Sequence, residues 1–319
     1  MVKIAIIGSS GGVAKEVIDV LLATKKHELL LLTRQDTPTT APTPGTTKIQ
    51  ADYTSVPRLT QILTGVHTIL SFIAVTNDPE STIQKNLIDA AIAAGVKRFA
   101  PSEWASAGLE QMPWYAYKAE TRRYLAEVNR EKKILEYTLF QPGLFLNAWT
   151  HPYQSAKHVP SIEFPIDFLN RRAILIEGSE DHRFTITTVQ DIAHVVARAI
   201  DFEGEWPVVG GIRGRTISIE ETIALGERIR APDAPFAIET LSPSDLKAGK
   251  ITTSWAPRFE HPSIPPEQVE VFSAIILAGV LSAISAGDYE SSDEWNRLLP
   301  DYEFTQPEEF LAEAWRGKP

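Results

Sequence analysis

Over the first 140 positions, apolar residues follow two alternating rhythms. Short segments at 2–7, 28–33, 48–51, 67–74, 96–100 and 135–140 read as strands, most of them rich in apolar residues, and the one at 67–74 has the apolar continuity of a buried parallel strand. Between them the spacing turns helical, at 14–23, at 56–64 and from Pro113 to about 130. In a further segment Ile83, Leu87, Ala91 and Ala94 recur, with Ile88 and Ile92 widening the stripe, before Gly95 stops it. Strands alternating with helices predict an α/β fold, a doubly wound parallel sheet of the Rossmann type. Beyond residue 145 the pattern loosens, with Pro-rich stretches at 158–165 and 231–235. Strands are expected at 172–176 and 183–187, and helices at 189–201, 219–229 and 243–249. The organisation expected is a larger domain built on this sheet at 1–150, to which segments around 183–222 return, and a smaller interleaved domain at 151–319. The Thr- and Pro-rich stretch 36–47 reads as a surface connection.

The first run opens into Gly8-Ser9-Ser10-Gly11-Gly12-Val13-Ala14. A strand that ends in a glycine-rich turn and opens a helix collects free backbone N–H groups at the positive end of the helix dipole, where a phosphate can sit. The same spacing also serves as a plain strand-to-helix corner. Arg34 closes the second run, where an acidic residue would hold a ribose 2′-hydroxyl and an arginine favours a 2′-phosphate. That points to NADP(H), the alternative being a solvated loop arginine.

Composition narrows the classes. The chain has 319 residues, 43% hydrophobic and 23% charged, and its net charge of -10 opposes binding to nucleic acid. It contains no cysteine, so disulfides, thiolate catalysis and cysteine-bound metal are excluded. The seven histidines show no metal-ligand spacing, and no metal is expected. Met1 leads directly into the first strand, so no signal peptide is expected. The longest apolar run, 275–286, is shorter than the roughly 20 residues of a membrane span, and a cytoplasmic protein without membrane or nucleic-acid partners is expected.

On the helix from Pro113, Trp114, Thr121, Leu125 and Val128 share a stripe, with Lys118 near its centre, while Arg122 and Arg123 turn outward as a solvated face. An inward lysine either snorkels to solvent or faces a cofactor cleft, where desolvation can tune it for proton transfer. Phe145, Trp149, Tyr153, Trp255 and Phe259 are candidates for a flat apolar substrate wall, each equally suited to the core.

Three motifs are more specific. Residues 83–91 (Ile-Gln-Lys-Asn-Leu-Ile-Asp-Ala-Ala), 94–99 with Pro101-Ser102-Glu103, and Lys118-Ala119-Glu120-Thr121-Arg122-Arg123 resemble the NmrA-like, isoflavone-reductase-like (phenylcoumaran benzylic ether reductase-like) branch of the atypical short-chain dehydrogenases. The tail, Trp295-Asn296-Arg297-Leu298-Leu299-Pro300 and Trp315-Arg316-Gly317, is similar to that of fungal members. The resemblance implies an NADP-dependent oxidoreductase of secondary metabolism with Lys118 as its catalytic lysine. Its cofactor is expected on Gly8, Ser10, Gly11, Gly12, Val13, Arg34, Asp52, Ile73, Ala74, Ser102, Glu103, Lys118, Pro142, Leu144 and Phe145. Trp114 and Tyr115 join the substrate candidates. The tyrosine that ordinary short-chain dehydrogenases place four residues before the lysine is Trp114 here, and the motif's Phe-Gly becomes Trp104-Ala105, altering the expected wall beside the nicotinamide. The reading is an NADPH-dependent reductase of a small aromatic or polyketide-like molecule with a carbonyl, enone or quinone-methide-like centre, monomeric or homodimeric. Open alternatives are a non-catalytic NADP(H)-binding redox sensor and a redox-neutral dehydratase or isomerase.

Overall fold

The computed structural model describes residues 1–34, 43–74, 78–230, 235–260 and 264–319. The expected connection at 36–47 and the Pro-rich stretch 231–235 lie largely outside the described residues.

Six strands, β1 (Lys3–Ile7), β2 (Glu28–Thr33), β3 (Thr46–Gln50), β4 (Thr68–Ser71), β5 (Arg98–Ala100) and β6 (Glu136–Tyr137), form one parallel sheet in the order β3-β2-β1-β4-β5-β6. The order reverses between β1 and β4, and ligands of open α/β sheets bind at such a reversal. The fold is a Rossmann-like doubly wound sheet. Each face has its own core because side chains alternate along a strand. Ile4 and Ile6 of β1 face α1 (Gly12–Thr24), whereas Ala5 and Ile7 face α2 (Val56–Leu63) and α3 (Thr82–Ala94).

Several boundaries move for identifiable reasons. The fourth strand ends at Ser71, and Phe72 to Ala74 leave the sheet. The fifth starts only at Arg98, because Val96 still bonds back to Ala91 and completes the left-handed cap at Gly95. The expected long helix opens as a 3-10 turn, Pro113–Tyr115, and becomes α4 at Ala116–Val128. The sixth run divides at Thr138. β6 pairs with β5, and β7 (Leu139–Gln141) pairs instead with a later strand, Val209–Gly211.

The chain continues through β8 (Leu144–Phe145), β9 (Ile166–Asp167), β10 (Arg172–Ile176) and β11 (Arg183–Thr187) to α5 (Val189–Asp201), which packs on α1. Then follow β12 (Val209–Gly211), β13 (Arg215–Ser218), α6 (Ile219–Arg230), β14 (Ala237–Leu241), α7 (Pro243–Lys247), α8 (Val269–Ser285), α9 (Glu294–Leu298) and α10 (Pro307–Trp315). Two small sheets, β13-β11-β8 and β14-β10-β9, enclose a second core. The tail binds both cores: Trp295 stacks on Phe140 beside the large sheet, and the Trp315 indole N–H donates to the Trp149 carbonyl at 2.9 Å.

The apolar run at 275–286 is the second half of a longer helical stretch. With the turn before α8 it spans 20 residues, Pro266–Ser285, at a mean hydropathy of 1.8, which meets the length and composition of a membrane span. Within this fold Leu277 and Leu281 of α8 lie against Ile174 and Ile176 of β10, while Val271, Phe272 and Ile275 are exposed.

Candidate functional site

At the end of β1, Gly8 has φ +76°, and a Cβ there would lie 2.6 Å from the Phe72 carbonyl oxygen. Only glycine fits where β1 and β4 part this closely. The Gly11 N–H donates to the Gly8 carbonyl at 3.1 Å, and Gly11 is the N-cap of α1. It offers no side chain to the helix end, and the first turn has no acidic residue. The N–H groups there keep their capacity for an external anion. Ser10 and Gly11 are exposed, Gly12 and Val13 half-buried and Ala14 buried. A Cβ on Gly12 would meet the His158 carbonyl at 2.8 Å, because residues 157–159 are tied across α1. The His158 N–H donates to Glu16 at 2.6 Å, and Asp19 takes both the Lys157 ammonium at 2.5 Å and the His158 ring at 2.9 Å.

Arg34 opens onto a cavity of about 530 Å³ at the ends of β2 and β3, shared with Asp52, Tyr53, Thr54 and Arg58. The Asp52 carboxylate accepts the Thr54 hydroxyl at 2.6 Å and its N–H at 2.9 Å, and these bonds hold it below its usual range. Arg58 was not among the residues expected from sequence. Its signal was Pro57 at the start of α2, which places Arg58 in the first turn, beside the end of β3.

The remaining strand ends form a linked row. After β5, the Trp104 indole N–H donates to the Ser71 carbonyl at 2.7 Å, and its ring stacks on Phe72 with centroids 4.3 Å apart. Its backbone N–H donates to the Phe140 carbonyl at 3.0 Å, and that of Gly143 to Ala105 at 3.1 Å. Trp104 is therefore core, 8% exposed between Phe72 and Phe140, rather than an open wall. Ile73 is buried and Ala74 half-buried. Buried Ser102 donates its N–H to the Gln84 side chain at 3.0 Å. Further on, the Pro142 carbonyl accepts the Thr187 hydroxyl at 2.7 Å, Leu144 is buried, and half-buried Phe145 packs on the large-sheet core.

Lys118 is 3% exposed. It does not snorkel: its ammonium donates to the Glu103 carbonyl and sits 3.7 Å from the Tyr115 ring centroid. Burial drives its pKa from the usual 10.5 down to about 8, opposed by the charge of Glu103 and assisted by that of Arg122. The expectation that Arg122 belongs to a solvated face is corrected, since its guanidinium grips the buried Glu103 carboxylate at 3.0 and 2.6 Å. Helical spacing brings residue 122 back over 118 and toward the loop after β5. Arg123 does lie in solvent, paired with Glu120.

The expected aromatic wall divides. Trp114 and Tyr115 meet edge to face at 5.7 Å, with Trp114 so close to α8 that a Cβ on Gly279 would come within 2.4 Å of its ring. Tyr153 packs on Trp315 at 5.3 Å. Trp149 belongs to the second core, 1% exposed between Phe164 and Phe184. Trp255 and Phe259 lie on the opposite face of β10, with Ile174 and Ile176, while Ala173 and Leu175 face the second core. Burial raises the pKa of both Tyr115 and Tyr117, so each holds its proton at neutral pH. Among the described residues, no group of three or more His, Cys, Asp or Glu is placed to hold a metal.

The model of the NmrA-like family matches residues 2–228. The chain belongs to the NmrA-like family. An end-to-end relative of this NmrA-like chain is the oxidoreductase BOA1 of Botryotinia fuckeliana, 27% identical over 97% of this chain and all of that protein. On that relationship the chain is an oxidoreductase of the family. Its fold matches the NADPH complex of the quinone oxidoreductase QOR2 of Escherichia coli, with a TM-score of 0.69 and 20% identity over 98% of this chain and 99% of that one. It also matches the leucoanthocyanidin reductase–NADPH complex of Vitis vinifera, with a TM-score of 0.66 and 15% identity over 98% of each chain.

Proposed function

We propose that this NmrA-like oxidoreductase is an NADPH-dependent reductase of a small aromatic or polyketide-like molecule, acting on a carbonyl, enone or quinone-methide-like carbon with Lys118 assisting proton transfer. The observation that carries the reading is a buried ammonium, tuned to about 8, held by the Glu103 carbonyl in the loop at the carboxyl end of β5, the strand next to β4. The residues fit a dinucleotide. A cradle closed to any Cβ at Gly8 adjoins a helix end without a side-chain cap, and a cavity with two guanidinium groups adjoins the end of β2. The turn Gly8, Ser10, Gly11, Gly12 and Val13 would hold the pyrophosphate, Arg34 with Arg58 the 2′-phosphate and Asp52 the adenosine. The row from Ile73 and Ala74 through Ser102 and Glu103 to Pro142, Leu144 and Phe145 would hold the nicotinamide half. Bound NADPH supplies the hydride.

Lys118 stabilises or protonates the oxygen on which negative charge develops, and Tyr115, whose ring covers its ammonium, limits water there. Tyr115 is the aromatic candidate that adjoins Lys118, with Trp114 edge to face against it, and the two favour a flat apolar substrate. QOR2 and leucoanthocyanidin reductase are named for aromatic or quinonoid compounds, in keeping with that class. The working environment in this reading is the cytoplasm, and the net charge of -10 favours a small-molecule partner over nucleic acid.

The test is NADPH oxidation with 1,4-naphthoquinone and a panel of aromatic enones, measured for the parent chain and Lys118→Ala. Turnover by the parent and its loss in the variant, with NADPH binding retained, is the expected result. Unchanged turnover in the variant removes Lys118 from the mechanism, and binding without turnover of any compound favours a redox sensor.

A further inference from the structure

Glu103 receives two cations from one face of α4. Its backbone carbonyl accepts Lys118, and its carboxylate accepts Arg122 through both Nε at 3.0 Å and Nη2 at 2.6 Å. Glu103 is 2% exposed, so the charge of its carboxylate has little access to water. Arg122 spends two further donors on the same loop, reaching the Ala107 carbonyl at 2.7 Å and that of Ser106 at 3.3 Å. A fork-to-fork pair of this kind fixes orientation as well as charge. The other titratable groups against Lys118 are the neutral phenols Tyr115 and Tyr117, with ring centroids 3.7 and 6.0 Å from its nitrogen.

We propose that the Glu103–Arg122 pair is the positioning unit of Lys118: Arg122 neutralises Glu103, and the clamped loop presents the Glu103 carbonyl that aims the ammonium. An unneutralised carboxylate beside a buried ammonium would hold the proton on lysine. With Arg122 in place the charge of Glu103 is partly offset at Lys118, and burial is the largest influence on its titration. Arg122 acts through Glu103, so it is a positioning residue rather than a catalytic one. The proposal rests on the reading of Lys118 as the proton-transfer group but is tested without turnover.

The experiment uses the full chain labelled with [ε-¹³C]lysine, the Lys118 signal being assigned by its absence in Lys118→Met, and follows that signal against pH. The parent midpoint is expected near 8. Arg122→Gln should raise it by about one unit and isosteric Glu103→Gln should lower it by about one unit, each a tenfold change in the amine-to-ammonium ratio. Arg122→Lys, which keeps the charge, should stay near the parent value. Shifts in the same direction, or none, overturn the proposal. If Arg122→Gln does not fold, Glu103→Gln decides alone, and an unmoved or raised midpoint there overturns it. Full NADPH turnover by Lys118→Met would refute the catalytic reading while leaving the opposite shifts intact, so the two failures are distinguishable.

Discussion

Gly8 and Phe72 approach so closely that a single added methyl at residue 8 would stand 2.6 Å from the Phe72 carbonyl oxygen. Two parallel strands that neighbour each other in the sheet but send their chains to opposite faces create this gap, and the uncapped N-terminus of α1 faces it.

Gly8→Ala is expected to cost about 2 kcal/mol or more, because alanine is strained at φ +76° and its methyl also meets backbone that cannot move aside. NADPH affinity should fall with it. Chemical denaturation and a fluorescence titration check both effects.

Arg34→Ala and Arg58→Ala should each weaken NADPH binding by about tenfold or more, at least one charge-assisted hydrogen bond each, while changing NADH binding little. Calorimetric titration with both nucleotides measures the difference. Equal losses for NADPH and NADH would place the 2′-phosphate elsewhere.

Lys118 should also leave a mark on stability. Its pKa is about 8 when folded and ordinary when unfolded, so between pH 8 and 10.5 the unfolded chain binds more protons and stability rises with pH. Below pH 8 the burial cost is fully present, about 3 kcal/mol from a shift of that size. Lys118→Met should therefore be more stable than the parent at pH 7, with the advantage shrinking as pH approaches 10. Urea midpoints at a series of pH values read this directly.

In turnover, Lys118→Ala should lower kcat by about a hundredfold or more, the usual contribution of general acid–base catalysis, with NADPH binding kept within about threefold. If the ammonium is the working form, activity should decline as pH rises through about 8. Stopped-flow oxidation of NADPH across pH gives the profile.

Trp255→Ala and Tyr115→Ala should separate the divided aromatic set. Trp255 lies across β10 from the second core, under the Arg172 guanidinium at 3.9 Å, so its loss should cost stability and leave KM nearly unchanged. Loss of Tyr115, whose ring covers Lys118, should raise KM and lower kcat together.

Which parts of this arrangement were legible in the sequence follows from range. β1, the turn after it and the stripe of α3 are specified by neighbours a few residues apart, and their boundaries moved by two residues or fewer. Arg122 was misplaced because helical angle alone reports which way a residue points, not what meets it. The loop after β5 carries Glu103 up to α4, and nothing in the local spacing encodes that approach. Trp149 and Trp255 looked alike as aromatics in an irregular region, yet β10 separates them into different cores.

By itself the sequence determined the doubly wound architecture, the anion-ready turn at Gly8 to Val13, the candidate arginine at 34 and the lysine at 118. These depend on periodicity and turn chemistry, which act over a few residues. Only the tertiary structure decided that Lys118 is buried on the Glu103 carbonyl, that Arg122 neutralises that residue, and that Arg58 shares a cavity with Arg34. Those relationships join segments 15 to 24 positions apart. Their energies come from desolvation and close charge pairing, neither of which exists until the strands and helices have packed.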